Sequence, residues 1–209
     1  MYIPKHFEVT DITMMHDLIR AYPLGTLITY AENTLNANHI PFYLNDTKPY
    51  GILNGHIARA NPLVNELNPD LETLVVFNGP NAYISPLWYV TKQESGKVVP
   101  TWNYVVVHAY GKLKVIDDAN WLLTQLQQLT DYNENQFAKP WTVSDAPQDF
   151  IDNLLANIVG IEIKITKLIG KWKVSQNQPQ QNRDSVVAGL NTTHALEACK
   201  MAEYVKNFI

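Results

Sequence analysis

The sequence predicts a mostly β fold, a small β-barrel decorated with helices rather than a doubly wound sheet. Six or seven short stretches carry the β-branched and alternating pattern of strands and are bounded by glycine, proline or asparagine. Helical patterns interrupt these stretches without the regular strand–helix alternation of a parallel sheet. The run from residue 78 to residue 110 also gathers six tyrosines and tryptophans beside turn formers.

The first half of the chain begins with a helix, predicted over residues 11–22, for which Thr10 is a candidate cap. Its apolar positions recur at helical spacing and are Ile12, Met15, Ile19 and Tyr22. Strands are predicted over residues 24–30, 35–44, 51–57, 74–77, 104–115 and 161–165. Pro41 marks an edge or a bulge in the second strand, because proline cannot donate to a ladder.

The remaining segments complete the pattern with helices and one polar loop. Helices are predicted over residues 62–67, 119–129, 148–158 and 193–208. Asn61 caps the first of them and is followed by proline at the first helical position. Residues 176–184 are polar and are predicted to form a loop. In the last helix, Leu196, Tyr204 and Phe208 are expected to face inward.

The charge pattern argues against a protein that reads DNA. The formal net charge is −4, and three of the sixteen basic residues are arginine. A protein that binds DNA grooves usually presents a basic face rich in arginine. The lysines between residues 164 and 173 are more typical of a solvated strand face than of a nucleic-acid site. Direct DNA binding is therefore not expected.

Targeting signals and reactive cysteines are equally sparse. Residues 1–20 show no long apolar core of a signal peptide, and no 18-residue apolar run occurs. A cytoplasmic location without a membrane span is therefore expected. The single cysteine, Cys199, excludes an intrachain disulfide and is predicted to be buried and inert.

The sequence shows no common catalytic motif and no metal-binding motif. It contains no G-x-S-x-G elbow and no glycine-rich phosphate loop. His39 and His56 are the only pair of histidines near each other in the strand region, and no carboxylate or cysteine joins them at ligand spacing. No metal site is predicted, and no catalytic residue can be assigned from a motif.

A phosphate site is one of two interpretations of residues 55–62. A strand ends at Gly55, and Asn61 and Pro62 open a helix, which places the guanidinium of Arg59 near free helix amides. That combination suits a phosphate monoester. An ion pair between Arg59 and a surface carboxylate explains the same residues equally well.

A planar ligand is one of two interpretations of the aromatic segments. Residues 170–177 combine Trp172 with two lysines and with the short or amide side chains of Ser175, Gln176 and Asn177, which suit the carbonyl and imide edges of a flavin-like ring. The rigid rings and amides of residues 83–104 suit the wall of such a site. The alternatives are a strand end that passes into a polar loop and aromatic residues that plug the end of the barrel.

Several spaced segments resemble the signature blocks of the PaiB family, which is named for FMN binding and for negative regulation of transcription. The matching segments are MYIPKHF at 1–7, NHIPF at 38–42, GHIARANP at 55–62, FNGPNAYISPLWY at 77–89, VPTWNYVVVHAYG at 99–111, IVGIEI at 158–163 and GKWKVSQN at 170–177. The resemblance implies an FMN-binding split β-barrel of the pyridoxamine-phosphate-oxidase-like type, Greek-key-like, over residues 1–190. Residues 191–209 lie outside the resemblance, and the apolar spacing there predicts a C-terminal helix that packs on a partner subunit.

The resemblance also implies the cofactor, the assembly and the site. It implies non-covalent FMN at the interface of a homodimer, with Arg59 on the phosphate. The predicted cofactor-binding residues are His39, Asn54, Gly55, His56, Arg59, Asn61, Thr101, Trp102, Asn103, Trp172, Ser175 and Gln176.

Three functions are compatible with this prediction. The first is a flavin-bearing sensor or binding module that affects transcription indirectly, through a small molecule or a protein partner. The second is an oxidoreductase in which the flavin accepts electrons from a small substrate or reduced nicotinamide, with His56 or His39 as proton donor. The third is a haem-binding protein of the same fold.

Overall fold

The protein is described by a computed structural model that covers residues 1–208, with side chains at every position except 93 and 95. Within these residues the strands β1 to β8 span Glu8–Val9, Leu24–Ala31, Thr34–Pro41, Tyr43–Asn45, Ile52–Ala58, Glu72–Ile84, Thr101–Ile116 and Ile158–Lys173. The helices α1 to α7 span Ile12–Ala21, Leu63–Glu66, Lys92–Ser95, Ala119–Glu134, Gln148–Leu155, Gln180–Thr192 and Leu196–Asn207. Short 3₁₀ turns lie at Lys5–Phe7, Pro86–Trp88 and Val143–Asp145.

The strands form one sheet in the order β3-β2-β6-β7-β8-β5-β4, and β1 pairs with β8. The pairs β1–β8, β2–β3, β2–β6, β4–β5 and β5–β8 are antiparallel. Pro41 ends β3 at one edge of this order, as the missing proline donor predicts. The predicted mostly β fold with inserted helices is confirmed.

The chain divides into two compact units. Among the described residues, the first unit contains 1–18, 78–107 and 169–208, and the second contains Ile19–Phe77 and His108–Leu168. The strands β6, β7 and β8 each contribute one segment to each unit.

The first unit has its own apolar core, to which α6 and α7 contribute. Its fully buried side chains include Trp172, Val174, Val186, Leu190 and Met201. A Cβ added at Gly189 would lie 2.4–2.6 Å from atoms of the Trp88 indole, so the backbone of α6 rests directly on that ring. A larger side chain at position 189 would push the helix away.

The second unit has a sheet core and a smaller helical cluster. The sheet core includes Leu27, Phe42, Leu53, Phe77, Ile161 and Ile163. Leu122, Val143, Ile151 and Leu155 form the helical cluster on α4 and α5 and the turn between them. Asp118 caps α4 by accepting hydrogen bonds from the amides of Asn120 and Trp121 at 2.8 and 2.9 Å.

The predicted elements differ from the structure mainly in length. The predicted strand over residues 74–77 extends from 72 to 84, because Gly79 continues the strand instead of turning it. A Cβ at Gly79 would lie 2.7 Å from the Leu18 side chain, so glycine is required there by close packing. The strand predicted over 35–44 breaks at Phe42 into β3 and β4. The strand predicted over 161–165 extends from 158 to 173, and α5 ends at Leu155 rather than at residue 158.

Some local predictions were wrong. Residues 180–184 belong to α6, although their polar composition predicted a loop. Asp11 rather than Thr10 caps α1, since its Oδ1 accepts the amide of Thr13 at 2.8 Å. Leu196 is exposed, and Cys199 is half-buried rather than buried. Lys171 is buried rather than solvated.

Candidate functional site

The predicted site residues fall into two groups, one in each unit. The first unit holds Thr101, Trp102, Asn103, Trp172, Ser175 and Gln176. The second unit holds His39, Asn54, Gly55, His56, Arg59 and Asn61. Each group is described within its own unit.

A polar cavity of about 280 Å³ lies in the first unit. Its lining residues come from the loop after the Pro86–Trp88 turn, from the start of β7 and from the segment that follows β8. They are Tyr89, Thr91, Lys97, Val98, Val99, Thr101, Asn103, Lys173, Ser175, Asn177 and Gln178. These residues include two lysines and no carboxylate, so the described lining is electropositive and rich in hydroxyl and amide groups. Such a cavity suits a polar, planar or anionic ligand.

Asn103 and Ser175 form the most buried polar pair of this cavity. Asn103 is 1% exposed, and its Nδ2 donates to the Ser175 Oγ at 2.9 Å. The Oδ1 of Asn103 is buried and has no hydrogen-bond partner among the described residues. Buried amides normally satisfy both polar atoms, so this carbonyl group is a candidate ligand contact.

Lys173 supplies the positive charge next to this pair. Its Nζ donates to the Thr101 Oγ1 and to the carbonyl oxygen of Trp102, the latter at 2.9 Å. Burial, and secondarily the charge of Lys171, hold the pKa of Lys173 below the ordinary lysine value of 10.5. A partly desolvated ammonium group of this kind can bind a carbonyl oxygen or an anion strongly.

Tyr89 adds a neutral hydroxyl group to the cavity wall. Its side chain is buried, and burial raises the pKa of its phenol above 10.0. The group therefore stays protonated throughout the neutral range. It can donate a hydrogen bond there without adding negative charge.

The predicted residues Trp172, Gln176 and Trp102 lie outside the lining of the polar cavity. Trp172 is 1% exposed and borders a separate, mainly apolar cavity with residues of α1 and α7. The amide of Gln176 bonds to the chain beside it, donating to the Trp172 carbonyl oxygen and accepting from the Val174 amide. Trp102 is 51% exposed and donates from Nε1 to the Asn81 Oδ1 at 3.0 Å.

Asn182 on α6 is a buried residue that sequence reasoning missed. Its Oδ1 accepts the backbone amide of Thr91 at 3.3 Å, and its Nδ2 donates to the Thr91 Oγ1 at 3.0 Å and the Gln178 Oε1 at 3.2 Å. Thr91 and Gln178 both line the polar cavity. Asn182 therefore fixes two parts of the wall from behind. An isolated asparagine in a polar stretch gives no sequence signal of this role.

In the second unit, Arg59 forms an ion pair rather than presenting a free guanidinium group. Its NH1 and NH2 donate to the two Asp117 carboxylate oxygens at 2.7 Å each. It also donates to the carbonyl oxygens of Ala156 and Ile158. Of the two interpretations left open by the sequence, the structure contains the ion pair. A phosphate at this position would compete with the Asp117 carboxylate.

The remaining predicted residues of the second unit lie on β3, β5 and the turn after β5. The Nδ1 of His39 lies 3.2 Å from the Thr26 Oγ1, and the Nδ1 of His56 lies 2.9 Å from the Gln125 Oε1. The side-chain amide of Asn61 donates to the Asn38 Oδ1, and its Oδ1 accepts a hydrogen bond from the backbone N–H of Leu63, the first residue of α2. The cap position itself is held by Pro62 rather than by Asn61.

Two predicted residues of β5 are buried in the sheet. Asn54 is buried, and its Oδ1 has no partner among the described residues. A Cβ at Gly55 would lie 3.2 Å from side-chain atoms of Ile40 and Phe42. Glycine at this position is therefore explained by packing.

The described residues contain neither a metal-binding cluster nor a membrane-spanning helix. Within residues 1–208, no three histidine, cysteine or acidic side chains cluster in a way that could hold a metal ion. Among the described helices, none combines the length and the apolar character needed to cross a bilayer.

Comparison with known proteins identifies a family. Residues 1–167 match the family described as "Putative FMN-binding domain". The chain is 37% identical over 225 residues to an uncharacterized protein of Emericella nidulans, a match that covers 90% of each chain. It is 30% identical over 207 residues to protease synthase and sporulation protein PAI 2 of Bacillus subtilis. This match covers 99% of this chain and 97% of that protein.

Solved structures share the fold at low sequence identity. A conserved hypothetical protein from Mycobacterium tuberculosis superposes with a TM-score of 0.60 at 11% identity, over 86% of this chain and 95% of that chain. An FAD and haem binding protein from Mycobacterium smegmatis superposes with a TM-score of 0.53 at 16% identity. The superposition covers 87% of this chain and 80% of that chain. At these identities the likeness concerns the fold alone, and it confirms the predicted split-barrel class.

Proposed function

The chain belongs to the PaiB family of FMN-binding-domain proteins, and from this membership we propose that it binds FMN non-covalently as a flavin-bearing sensor or binding module. The flavin would supply light absorption and redox chemistry when bound. The chain's own residues would bind and orient it.

The polar cavity of the first unit is the observation that carries this proposal. A flavin offers a ring edge on which carbonyl acceptors flank an N–H donor. The cavity offers matching groups, with Lys173 and the Tyr89 hydroxyl as donors and the unpartnered Oδ1 of Asn103 as an acceptor. Thr101 and Ser175 add hydroxyl groups. The chemistry of this donor and acceptor set fits the flavin ring.

A visible absorption spectrum tests the proposal directly. Protein purified with added FMN, then freed of unbound ligand by gel filtration, should retain the two visible bands of an oxidised flavin. A Soret band in protein supplied with haem would favour the haem alternative instead. Absence of both chromophores, together with no FMN binding by calorimetry, would contradict the proposal.

An oxidoreductase is the second candidate, and Lys173 favours it. A cation beside a flavin stabilises the electron density that the ring gains on reduction, which makes acceptance of a hydride easier. Anaerobic mixing with reduced nicotinamide discriminates the two functions. Rapid loss of the flavin colour would indicate an enzyme, whereas a stable colour would favour the sensor or binding module. A role for His56 or His39 as proton donor stays a prediction.

We propose that the active form is a homodimer. The exposed apolar residues between positions 83 and 102 support this, because a monomer rarely leaves several large side chains exposed together. They are Tyr83, Leu87, Val90, Val99 and Trp102. The rings of Tyr83 and Trp102 pack edge to face with centroids 6.1 Å apart, so they present one joint surface.

A regulatory role is proposed to be indirect. The relative from Bacillus subtilis is named for protease synthesis and sporulation, which suits a protein that affects gene expression. The net charge of −4 argues that any such effect runs through a small molecule or a protein partner rather than through DNA. The cytoplasmic location stays a prediction.

A further inference from the structure

The hydrogen bonding of Asn103 restricts the ligands that the polar cavity can accept. Asn103 lies at the start of β7, two residues before the buried Val105 and four before the buried Val107. A strand places alternate residues on one face, so this amide continues an apolar row. An amide in such a row is unfavourable unless its polar atoms are paired.

One hydrogen bond, to Ser175, positions the amide. Its Nδ2 donates to the Ser175 Oγ at 2.9 Å. Ser175 has a backbone φ of 64°, a left-handed conformation that is uncommon for serine. The chain thus adopts an unfavourable backbone conformation at the residue that orients Asn103. The acceptor Oδ1 is then left for a group that is not part of the described chain.

An unpaired carbonyl oxygen discriminates between classes of ligand. A phosphate dianion or a carboxylate carries acceptors only, and its oxygens would be repelled by the Oδ1 of Asn103. A ring N–H would pair with it. A carbonyl group next to that N–H would accept a hydrogen bond from the ammonium group of Lys173, which lines the same cavity.

On the basis of the proposed flavin site, we propose that Asn103 determines ligand specificity by accepting a hydrogen bond from a ring N–H. The cavity then selects cyclic imides, in which an N–H lies between two carbonyl groups, and discriminates against their N-alkylated forms. The pyrimidine portion of a flavin belongs to this class. The same edge on a smaller pyrimidinedione or a pteridine would also be recognised.

Two flavin rings without phosphate provide the test, lumiflavin and 3-methyllumiflavin, which differ by a methyl group on the imide nitrogen. Their affinities for the wild-type full-length protein are measured by fluorescence titration, with FMN measured in parallel. We expect 3-methyllumiflavin to bind at least about tenfold more weakly, because it leaves a buried acceptor unpaired and adds a methyl group.

Variants at position 103 supply the control. Asn103→Leu should bind both rings with the same weak affinity, since the acceptor is gone. Asn103→Asp keeps an acceptor, can accept from the Ser175 hydroxyl, and should retain a preference for lumiflavin. If the leucine variant does not fold, the affinities of the wild-type protein for lumiflavin and 3-methyllumiflavin still test the proposed hydrogen bond to Asn103.

The possible failures are distinguishable. Equal binding of the two rings, or tighter binding of the methylated ring, would overturn the assignment of Asn103 while leaving FMN binding intact. Displacement of lumiflavin by inorganic phosphate would also overturn it, since the cavity would then be a phosphate site. Failure of both FMN and lumiflavin to bind would remove the proposed function as well.

Discussion

The guanidinium group of Arg59 holds the Asp117 carboxylate through two parallel hydrogen bonds of 2.7 Å. The two residues are 58 positions apart and join the turn after β5 to the end of β7. Hydrogen bonds from Arg59 to the carbonyl oxygens of Ala156 and Ile158 add the start of β8. One arginine therefore links three segments of the second unit.

The Arg59–Asp117 pair predicts a pH dependence of stability. Hydrogen bonding from Arg59 holds the pKa of the Asp117 carboxyl below its ordinary value of 3.8. A depressed carboxyl pKa contributes stability that is present above the unfolded value and is lost as the pH falls through the folded value. Asp117→Asn should therefore have a lower free energy of unfolding than the wild type at pH 7, and the difference should shrink below pH 3.8.

Urea unfolding at neutral and acidic pH measures this difference. Asp70→Asn is the matched control, because Asp70 is almost fully exposed and its pair with Lys112 is long, at 3.8 Å. The control should behave like the wild type at both pH values. A difference for Asp117→Asn that does not change with pH would contradict the expected role of the ion pair.

Arg59→Ala tests the phosphate role that the family resemblance implies. FMN carries a phosphate and lumiflavin does not, so the variant should weaken binding of FMN and leave lumiflavin unchanged. Asp117→Asn should strengthen FMN binding, because it removes the carboxylate that competes for the guanidinium group. Calorimetry of both ligands with both variants decides, and unchanged FMN affinity in Arg59→Ala would place the phosphate elsewhere.

Lys173 predicts that flavin affinity depends on pH in the alkaline range. Burial, with a smaller effect of Lys171, lowers the pKa of Lys173 from 10.5, so the folded chain releases this proton before the unfolded chain does. Over that interval the contribution of Lys173 to stability rises with pH. Affinity for FMN should fall over the same interval, because the ammonium donor is lost.

Comparison of Lys173→Met with Lys167→Met isolates that effect. Lys167 is exposed and lies 5.3 Å above the Tyr110 ring, in the second unit. The Lys173 variant should bind FMN more weakly at pH 7 and show a smaller alkaline decrease, since only the ionisation of the flavin imide N–H would remain. The Lys167 variant should keep the wild-type profile. An identical profile in all three proteins would show that Lys173 does not contact the ligand.

Leu87 tests the proposed homodimer. Its side chain is 76% exposed, so a substitution there should not disturb a folded monomer. Light scattering of the wild type should give about twice the chain mass of 23.8 kDa. Leu87→Asp should shift the protein toward the monomer, and Leu35→Asp, at a similarly exposed leucine of β3, should not. A monomeric wild type at micromolar concentration would rule out the dimer.

The sequence alone predicted the elements whose structure is determined by local patterns. The apolar spacing of α1 and the proline at the edge of β3 depend on neighbours in the chain, and both were predicted. Gly79 misled the prediction because glycine usually marks a turn, whereas the close approach of Leu18 requires it within β6. The polar start of α6 looked like a loop, because the helix is stabilised by the contacts of Asn182 and Gly189 with distant residues.

The candidate site was also predictable only in part, because some of its features depend on long-range contacts rather than on the local sequence. Thr101, Asn103 and Ser175, three of the predicted residues, line the polar cavity, and their contact with a flavin stays a prediction. The burial of Trp172 away from that cavity depends on α7 and was not visible in the local sequence. The pairing of Arg59 with Asp117 is a long-range contact between two ordinary surface residue types, which no motif announces.

The isolated protein should not bind DNA with sequence specificity at physiological salt. Its net charge is −4 and it contains three arginines, so it has few groups with which to neutralise phosphates. Lys171, one of the clustered lysines, is buried 5.1 Å above the Tyr104 ring and donates to the Tyr2 carbonyl oxygen, which removes it from any binding face. Binding that released about six counterions would weaken by roughly a thousandfold between low and moderate salt.

The prediction is tested by fluorescence anisotropy at about 0.15 M salt. The probe is DNA from upstream of the protein's own gene, and the titration is made with and without FMN. A specific complex tighter than micromolar would show direct regulation and contradict the indirect role proposed above.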